Sequence, residues 1–232
     1  MDIPARVSVL ERVPLFKGLR LDELEAVARE AHERKLEKGE VLFRQGEDAA
    51  HSYVLGWGRL RLDQNTPDGQ NVVLRFMGPG DMVGTVAVLR RIPFPATPLA
   101  IEDCVILAWS AGRTAELMTR YPAIALNAVA VVGGRVEELQ ARLSEIATQR
   151  VERRIASTLL RMARQSGRRV EGGVEIPFAI SRNDLAEMTA TTLHTVSRTL
   201  AAWEHEGIVS GKRGTYLTIA QPHRLVEIAE QA

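Results

Sequence analysis

The sequence has little cysteine and little net charge. Cys104 is the only cysteine among 232 residues. One cysteine cannot form an internal disulfide or supply the four thiolates of a zinc or iron–sulfur site. It fits a reducing compartment, so we expect a cytoplasmic protein. The formal net charge of +1 does not indicate nucleic-acid binding, so any contact with DNA has to come from the local placement of basic residues.

Long apolar runs, targeting signals and catalytic motifs are also missing. The longest apolar stretch, residues 123–132, is too short to cross a membrane. Residues 1–17 lack the apolar core of a signal peptide. The sequence contains no Walker-type glycine loop, no metal-ligand spacing and no nucleophile elbow. We therefore expect neither a membrane protein nor an enzyme.

The N-terminal half alternates short apolar runs with turn residues. Helical spacing covers residues 21–33. Short strands are predicted at residues 40–43, 52–55, 71–74 and 104–107. Many short strands separated by Gly- and Pro-containing turns predict an antiparallel roll or barrel. The prolines of residues 91–98 exclude a regular helix there.

A heptad pattern follows Pro122, a residue that can occupy the first turn of a helix. Apolar residues recur in steps of three and four, at Val129, Val132, Val136, Leu139, Leu143 and Ile146. This spacing is typical of a coiled coil. A helix packed on its own domain is the alternative, but the regularity and the flanking charges of Arg135 and Glu138 favour a dimer seam.

Residues 180–200 predict two short helices separated by a tight turn. Ser181 and Asp184 resemble a capping box that starts the first helix. Thr192 can cap the second helix, which is predicted to run to about His205. Residues 207–219 then predict a two-stranded wing with a basic tip.

The outward side of the second helix carries the groups that a major-groove reader needs. Arg198 can bind guanine O6 and N7 with two hydrogen bonds, while His194 and Ser197 can bond base edges. The predicted phosphate contacts are Arg182, Thr192, Thr195 and Lys212. A merely solvated polar face is the alternative interpretation.

Together these segments resemble the CRP/FNR family, named after the catabolite activator protein and the fumarate–nitrate reductase regulator. The roll is similar to that family at residues 38–40, 43–47, 58–60, 68–70 and 79–81. The C-terminal part is similar at residues 154–156, 181–186 and 195–198. The likeness runs over nearly the whole chain, with the segments in the same order.

The resemblance implies an α+β fold in three parts. Residues 1–118 would form an antiparallel β-roll like the cyclic-nucleotide-binding jelly roll, residues 119–149 a long dimerisation helix, and residues 150–232 a winged helix-turn-helix domain. It also implies a transcription regulator that binds double-stranded DNA as a homodimer on a near-palindromic site. Bound protein would recruit or block RNA polymerase, and an effector in the roll would shift the DNA domains between binding and non-binding arrangements.

The chain departs from the family at the effector pocket. Members that bind cyclic AMP hold its phosphate with an Arg-Ser pair and its ribose with a Glu, and their helix adds a Thr and a Ser. The matching positions here are Phe94 and Pro95, Thr85, and Leu139 and Gln140, with Val83 adding to an apolar lining. A buried anion needs a basic side chain or backbone donors, so these residues argue against cyclic AMP, as the single cysteine argues against an iron–sulfur cluster.

An apolar pocket suits haem, another apolar ligand or no ligand. Because the resembling family includes haem-dependent gas sensors, haem is one hypothesis for this chain. The candidate axial ligands are His32, His51, Cys104 and the methionines. The alternatives are a regulator without a small-molecule ligand, one that responds to an apolar ligand, and one that responds to oxidation of Cys104.

The DNA-reading helix departs from the family as well. His194 stands where many members have a Glu that accepts a hydrogen bond from cytosine. We therefore predict a TTG-type half-site that keeps the guanine read by Arg198 and changes its neighbour. Ala190 stands where the turn often has Gly, and it adds strain if that residue has a positive φ. The rival function, a β-roll that regulates a partner protein, would be excluded by sequence-specific DNA binding that survives moderate salt.

Overall fold

A computed structural model describes residues 1–211 and 216–230 of the chain. The chain divides into two compact units, residues 1–138 and 139–232. One long helix passes through the division, since it runs from Pro122 to Thr148. The predicted domain limits at residues 118 and 149 lie close to the two ends of this helix. They remain a prediction.

Two α-helices, with a short 3-10 helix (Pro14–Phe16) between them, precede the sheets of the first unit. Helix α1 spans Ile3–Leu10 and begins after Asp2, whose side chain accepts a hydrogen bond from the backbone N–H of Ala5 at 2.9 Å. The sequence analysis did not predict this helix. Helix α2 spans Leu21–Arg29, so the helical prediction for residues 21–33 was too long, because strand β1 already begins at His32.

The strands of the first unit form two antiparallel sheets. They are β1 (His32–Leu36), β2 (His51–Trp57), β3 (Leu60–Asn65), β4 (Asn71–Met77), β5 (Met82–Val83), β6 (Thr97–Ala100) and β7 (Cys104–Ser110). The strand orders are β1-β7-β2-β5 and β4-β3-β6. The predicted antiparallel roll is confirmed. The predicted strand at residues 40–43 is wrong, because only Val41 pairs there, in an isolated bridge to Leu99.

Three helices accompany the roll. They are α3 (Thr85–Arg90), α4 (Ala111–Arg120) and α5 (Pro122–Thr148). Helix α3 ends before Pro93, in agreement with the proline-rich segment that cannot continue a helix. Helix α5 has 27 residues and Pro122 in its first turn, which confirms the long helix predicted from the heptad pattern.

The second unit is a winged helix-turn-helix, as predicted. Its elements are α6 (Val151–Ser166), β8 (Arg168–Val170), β9 (Gly173–Ala179), α7 (Arg182–Met188), α8 (Leu193–His205), β10 (Val209–Ser210), β11 (Tyr216–Ile219) and α9 (Pro222–Glu230). Within the described residues the sheet order is β10-β11-β9-β8. Ile155, Leu159, Ile176 and Trp203 are buried in this unit. The tip of the wing, including Lys212, lies outside the described residues.

Candidate DNA-reading face and effector region

The capping box at the start of α7 is formed as predicted. The backbone N–H of Asp184 donates to Ser181 Oγ at 3.0 Å, and the backbone N–H of Ser181 donates to Asp184 Oδ2 at 2.9 Å. Leu185, Ala186 and Met188 are buried. The pair of hydrogen bonds satisfies two donors that would otherwise lack partners at the helix start.

Helix α7 ends in a Schellman turn built around an alanine. The backbone N–H of Thr191 donates to the carbonyl of Ala186 at 3.0 Å, and that of Ala190 donates to Glu187 at 3.3 Å. This pattern requires the residue after the cap to be left-handed, and Ala190 has a φ of 49°. The strain expected from the sequence is therefore present, at a cost of about 1–2 kcal/mol relative to glycine.

Helix α8 begins at the predicted cap and presents two different faces. The backbone N–H of Thr195 donates to Thr192 Oγ1 at 3.2 Å. Val196, Leu200 and Trp203 are buried, as predicted. The spacing of these three residues fixes the opposite face of the helix toward solvent.

The residues predicted to read base edges lie on that outward face. His194 and Arg198 are exposed, and Ser197 is half-buried between them. Positions 194, 197 and 198 are three and four residues apart, so their side chains share one side of the helix. The structure thus brings together the side chains for which the sequence predicted direct contact with bases.

The four residues predicted to bind phosphate differ in their surroundings. Thr192 and Thr195 share a hydrogen bond of 2.9 Å between their hydroxyls, so the cap already engages both. Arg182 forms an ion pair with Glu204 of α8 at 3.3 Å. Lys212 lies outside the described residues.

Two arginines that the sequence analysis did not assign to the site lie under the turn. Arg154 of α6 donates from Nε to the carbonyl of Thr189 at 2.9 Å and from Nη2 to that of Ala190 at 3.2 Å. Arg142 of α5 donates from Nη2 to the carbonyl of Met188 at 3.3 Å. No local pattern announces such contacts, because they join residues that are more than 30 positions apart.

The predicted effector pocket is filled by aromatic side chains of the roll itself. The rings of Phe94 and Phe43 stack with centroids 3.6 Å apart, and Tyr53 lies 5.6 Å from Phe43. Phe94 is only 3% exposed and packs in the same core as Val83. A Cβ atom at Gly84 would lie 2.7 Å from Phe94 Cε1, so the ring closes directly onto the backbone. Burial also raises the pKa of Tyr53.

The other residues predicted for the pocket lie elsewhere. Thr85 is buried beside a cavity of about 20 Å³, whose lining includes Ser52 and Thr114. Pro95 is exposed. Leu139 and Gln140 are exposed on α5 and belong to the second compact unit. Within the first unit, only Val83 and Phe94 of the predicted set share one cluster.

The candidate haem ligands do not converge. Cys104 is buried, and its Sγ lies 3.3 and 3.2 Å from the carbonyl oxygens of Arg59 and Glu102, either of which can accept the hydrogen bond of the thiol. Burial raises the pKa of this thiol to about 11, so it is protonated near neutral pH. His32 is exposed on β1, at the edge of its sheet. His51 is half-buried, with its ring 6.1 Å from that of Tyr53.

The heptad residues of α5 form an exposed apolar stripe. All six are exposed, namely Val129, Val132, Val136, Leu139, Leu143 and Ile146. Leu139 and Leu143 are 63% and 69% exposed. Leucines at this spacing are rarely left in water along a whole helix, so the single chain leaves uncovered the stripe that the sequence predicted as a dimer seam.

Residues 1–211 and 216–230 contain neither a membrane-spanning helix nor a cluster of metal-binding side chains. No helix there combines the length and the apolar composition needed to cross a membrane. No group of three or more His, Cys, Asp and Glu side chains in this part of the chain could hold a metal ion.

Comparison with known proteins agrees with both halves of the fold. Residues 33–121 match the model of the cyclic nucleotide-binding domain, and residues 153–228 match that of the Crp-like helix-turn-helix domain. The cyclic AMP receptor protein of Thermus thermophilus is 30% identical over 216 residues, which cover 93% of this chain and 96% of that protein. A CRP-like cAMP-activated global transcriptional regulator of Mycobacterium tuberculosis is 24% identical over 223 residues, covering 95% and 98%.

Solved structures share the architecture. FixK2 from Bradyrhizobium japonicum matches with a TM-score of 0.75 at 23% identity, covering 87% of this chain and 98% of that one. At this identity the match establishes the fold alone. The matched helix-turn-helix domain and the Mycobacterium tuberculosis relative are those of transcription regulators and not of enzymes.

Proposed function

Because the chain belongs to the CRP/FNR family of DNA-binding transcription regulators, we propose that it acts as a homodimer that places two α8 helices in successive major grooves of a near-palindromic, TTG-type site. Arg198 would read the guanine, with His194 and Ser197 contacting its neighbours. Arg182, Thr192, Thr195 and Lys212 would hold the phosphates.

The observation that carries this proposal is the outward face of α8. Its base-reading candidates are exposed or half-buried while the opposite face is packed into the core. The cap of Thr192 fixes the beginning of the helix, and the N-terminal residues of a recognition helix are the ones that reach base edges.

The dimer is supported by the exposed stripe of α5. Pairing two such helices would bury six apolar side chains per chain that are otherwise in contact with water. Two-fold symmetry would then set the α8 helices about 34 Å apart, one turn of DNA. We propose that this dimer works in the cytoplasm and acts on transcription through contact with RNA polymerase.

Selection of duplexes from a random pool by the full chain tests the proposal. We expect enrichment of two inverted TTG-type half-sites with centres about 10 base pairs apart. Sedimentation should show two chains per enriched duplex. Enrichment of single half-sites would contradict the dimer, and no enrichment at moderate salt would contradict sequence-specific binding, since non-specific contacts weaken steeply with salt.

We propose further that the roll does not respond to cyclic AMP. The position that corresponds to the phosphate-binding arginine is Phe94, whose ring is stacked on Phe43 inside the core. An anion placed there would lose its hydration without a basic partner. Titration calorimetry with cyclic AMP should show no saturable heat, whereas saturable binding at micromolar concentration or a gain in operator affinity would overturn this part of the proposal.

The candidate axial ligands give the haem hypothesis little support. A thiol that is protonated and already hydrogen-bonded is a poor ligand, and His32 faces solvent. An absorption spectrum after addition of ferrous haem and carbon monoxide decides the matter. We expect no Soret band at one haem per chain. A sharp, gas-sensitive band would establish a haem sensor. The three alternatives, namely an apolar ligand, oxidation of Cys104 and a ligand-free regulator, would then be rejected.

A further inference from the structure

The end of α7 carries carbonyl groups that need partners. The last four carbonyls of a helix receive no hydrogen bond from an N–H group of the same helix. The Schellman turn satisfies those of Ala186 and Glu187. The carbonyls of Met188, Thr189 and Ala190 are left, and they lie immediately before the helix that is proposed to read DNA.

The guanidinium of Arg154 donates hydrogen bonds to two of these carbonyls and to a third carbonyl that lies outside the turn. Arg154 donates to Thr189 and Ala190 at 2.9 and 3.2 Å, and its Nη1 donates to the carbonyl of Gln149 at 2.8 Å. Gln149 lies between the end of α5 and the start of α6. The three nitrogens of one side chain therefore join the turn before α8 to the junction of two other helices.

Other contacts hold the same junction. Arg142 on α5 donates to the carbonyl of Met188 at 3.3 Å. Arg161 on α6 forms an ion pair with Glu145 on α5 at 3.3 Å, and both side chains are mostly buried. The last turns of α5 are thus bonded to the body of the DNA-reading unit, both directly and through Arg154.

The strained conformation of the turn explains why these hydrogen bonds matter for the direction of α8. Ala190 adopts a φ of 49° that a residue with a Cβ atom disfavours. Hydrogen bonds from a charged donor to the carbonyls on both sides of that φ angle oppose its relaxation. Relaxation at residue 190 would tilt α8, because only Thr191 and the Thr192 cap separate the two.

We propose that Arg154 is a positioning residue for DNA recognition. Its guanidinium holds Ala190 in the left-handed conformation and ties the direction of α8 to the junction between α5 and α6. The inference rests on the proposed DNA-reading function of α8. It adds that operator affinity depends on a side chain which touches no DNA, and that this dependence is coupled to the residue type at position 190.

The test compares the variants Arg154→Met, Arg154→Lys and the neighbouring control Arg153→Met with the wild-type full chain, and it repeats each measurement with Ala190→Gly added to each of these four backgrounds. Arg153 bonds the carbonyl of Ala229 at the end of α9 and not the turn. The probes are a duplex enriched by the wild-type chain and an unrelated duplex of equal length. Fluorescence anisotropy gives both affinities, and amide hydrogen exchange reports the protection of residues 189–193.

Arg154→Met should weaken binding to the enriched duplex at least about tenfold, because the turn carbonyls lose a charged donor. Its affinity for the unrelated duplex should change less than about twofold, since that binding depends on phosphate contacts. Arg154→Lys should be intermediate, and Arg153→Met should keep the wild-type ratio. Ala190→Gly should restore affinity more in the Arg154→Met chain than in the wild type, because glycine needs no help to stay left-handed.

Equal losses in the Arg153 and Arg154 variants, or an identical effect of Ala190→Gly in both backgrounds, would overturn the proposal. If Arg154→Met does not fold, wild-type affinity in Arg154→Lys would overturn it. If the wild-type chain enriches no duplex, the proposed function fails and exchange decides about Arg154: unchanged protection of residues 189–193 in its variants would reject the positioning role, and faster exchange there than in Arg153→Met would support it.

Discussion

The two compact units use their side chains in opposite ways. In the roll, Phe94 and Phe43 turn inward and stack at the place where the family resemblance put a ligand. In the DNA-reading unit, His194 and Arg198 turn outward and the interior supports them with hydrogen bonds to backbone carbonyls. The rings at this place in the roll are closed off from solvent, while the face of α8 is left open to a partner. Substitutions of these rings should therefore affect stability, and substitutions on the outward face of α8 should affect DNA recognition.

The largest effect is expected from emptying the roll. Phe94→Ala should lower the free energy of unfolding by about 3–5 kcal/mol, because it removes a fully packed ring and leaves a cavity beside Phe43. Denaturant titration measures the loss. Phe94→Leu is the matched control and should lose markedly less. An unchanged midpoint for Phe94→Ala would mean that the roll is not closed by this ring, and the contrast between the units would fail.

The seam of α5 should give the next effect. Leu143→Glu would place a carboxylate of each chain in the dimer contact, at a cost of about 3 kcal/mol or more. Sedimentation equilibrium should then show single chains, and affinity for a palindromic duplex should fall with the dimer. Ser144→Glu, one residue away and outside the seam, is the control. A Leu143→Glu protein that remains dimeric would move the contact to another surface.

A smaller effect is expected at the base-reading face. Arg198→Ala should cost about 1–3 kcal/mol of discrimination at the guanine that it reads, while the unfolding midpoint stays near that of the wild type, because Arg198 is exposed. Anisotropy with matched and singly substituted duplexes measures this loss. Arg224→Ala on exposed α9 should leave discrimination intact. Preserved guanine preference in Arg198→Ala would remove the assigned contact.

A glycine should stabilise the folded chain at position 190 in the turn, although it destabilises an ordinary position within a helix. Ala190→Gly should raise the free energy of unfolding by about 1 kcal/mol, because the positive φ no longer opposes a Cβ atom. Ala202→Gly within α8 should lower it by a similar amount. Thermal or denaturant unfolding of both variants is sufficient, and equal signs would argue against a strained turn.

The last effect concerns Cys104, and it appears only at alkaline pH. Its pKa is about 11 in the folded chain because of burial, above the value of an exposed thiol near 8.5. The folded state then keeps a proton that the unfolded state loses, so Cys104 contributes stability below about pH 8.5 that is lost as pH rises toward 11. The fall in unfolding midpoint between pH 8 and pH 10 should be shallower in Cys104→Ala. Equal slopes would indicate an exposed or differently bonded thiol.

The sequence predicted most of the fold and the outward side of α8. Short apolar runs between turn residues, the heptad pattern, the capping box of Ser181 and the cap of Thr192 are local features, so they can be recognised in one dimension. Helix α1 was missed because its eight residues are too few for a clear period, although Asp2 and Pro4 provide a start signal. Residues 40–43 were predicted as a strand from composition, but no neighbouring strand pairs with them beyond Val41.

The effector region was predicted less completely. Position-by-position likeness grouped Thr85, Phe94 and Pro95 as one pocket lining, yet they face a small cavity, the aromatic core and solvent. Adjacent residues on a turn point in different directions, and which of them enters the core depends on the partner rings it meets. No pattern along the chain encodes the stacking of Phe94 on Phe43, since 51 positions separate them.

Along the chain, residue order was sufficient to determine the roll, the long helix, the helix-turn-helix, the outward face of α8 and the strained Ala190, because periodicity, capping and turn chemistry act over a few residues. Tertiary structure alone decided that the roll is filled by its own rings and that Arg154 lies under the turn. Both depend on contacts between distant segments, where the entropy of closing long loops is offset only once many groups pack at the same time.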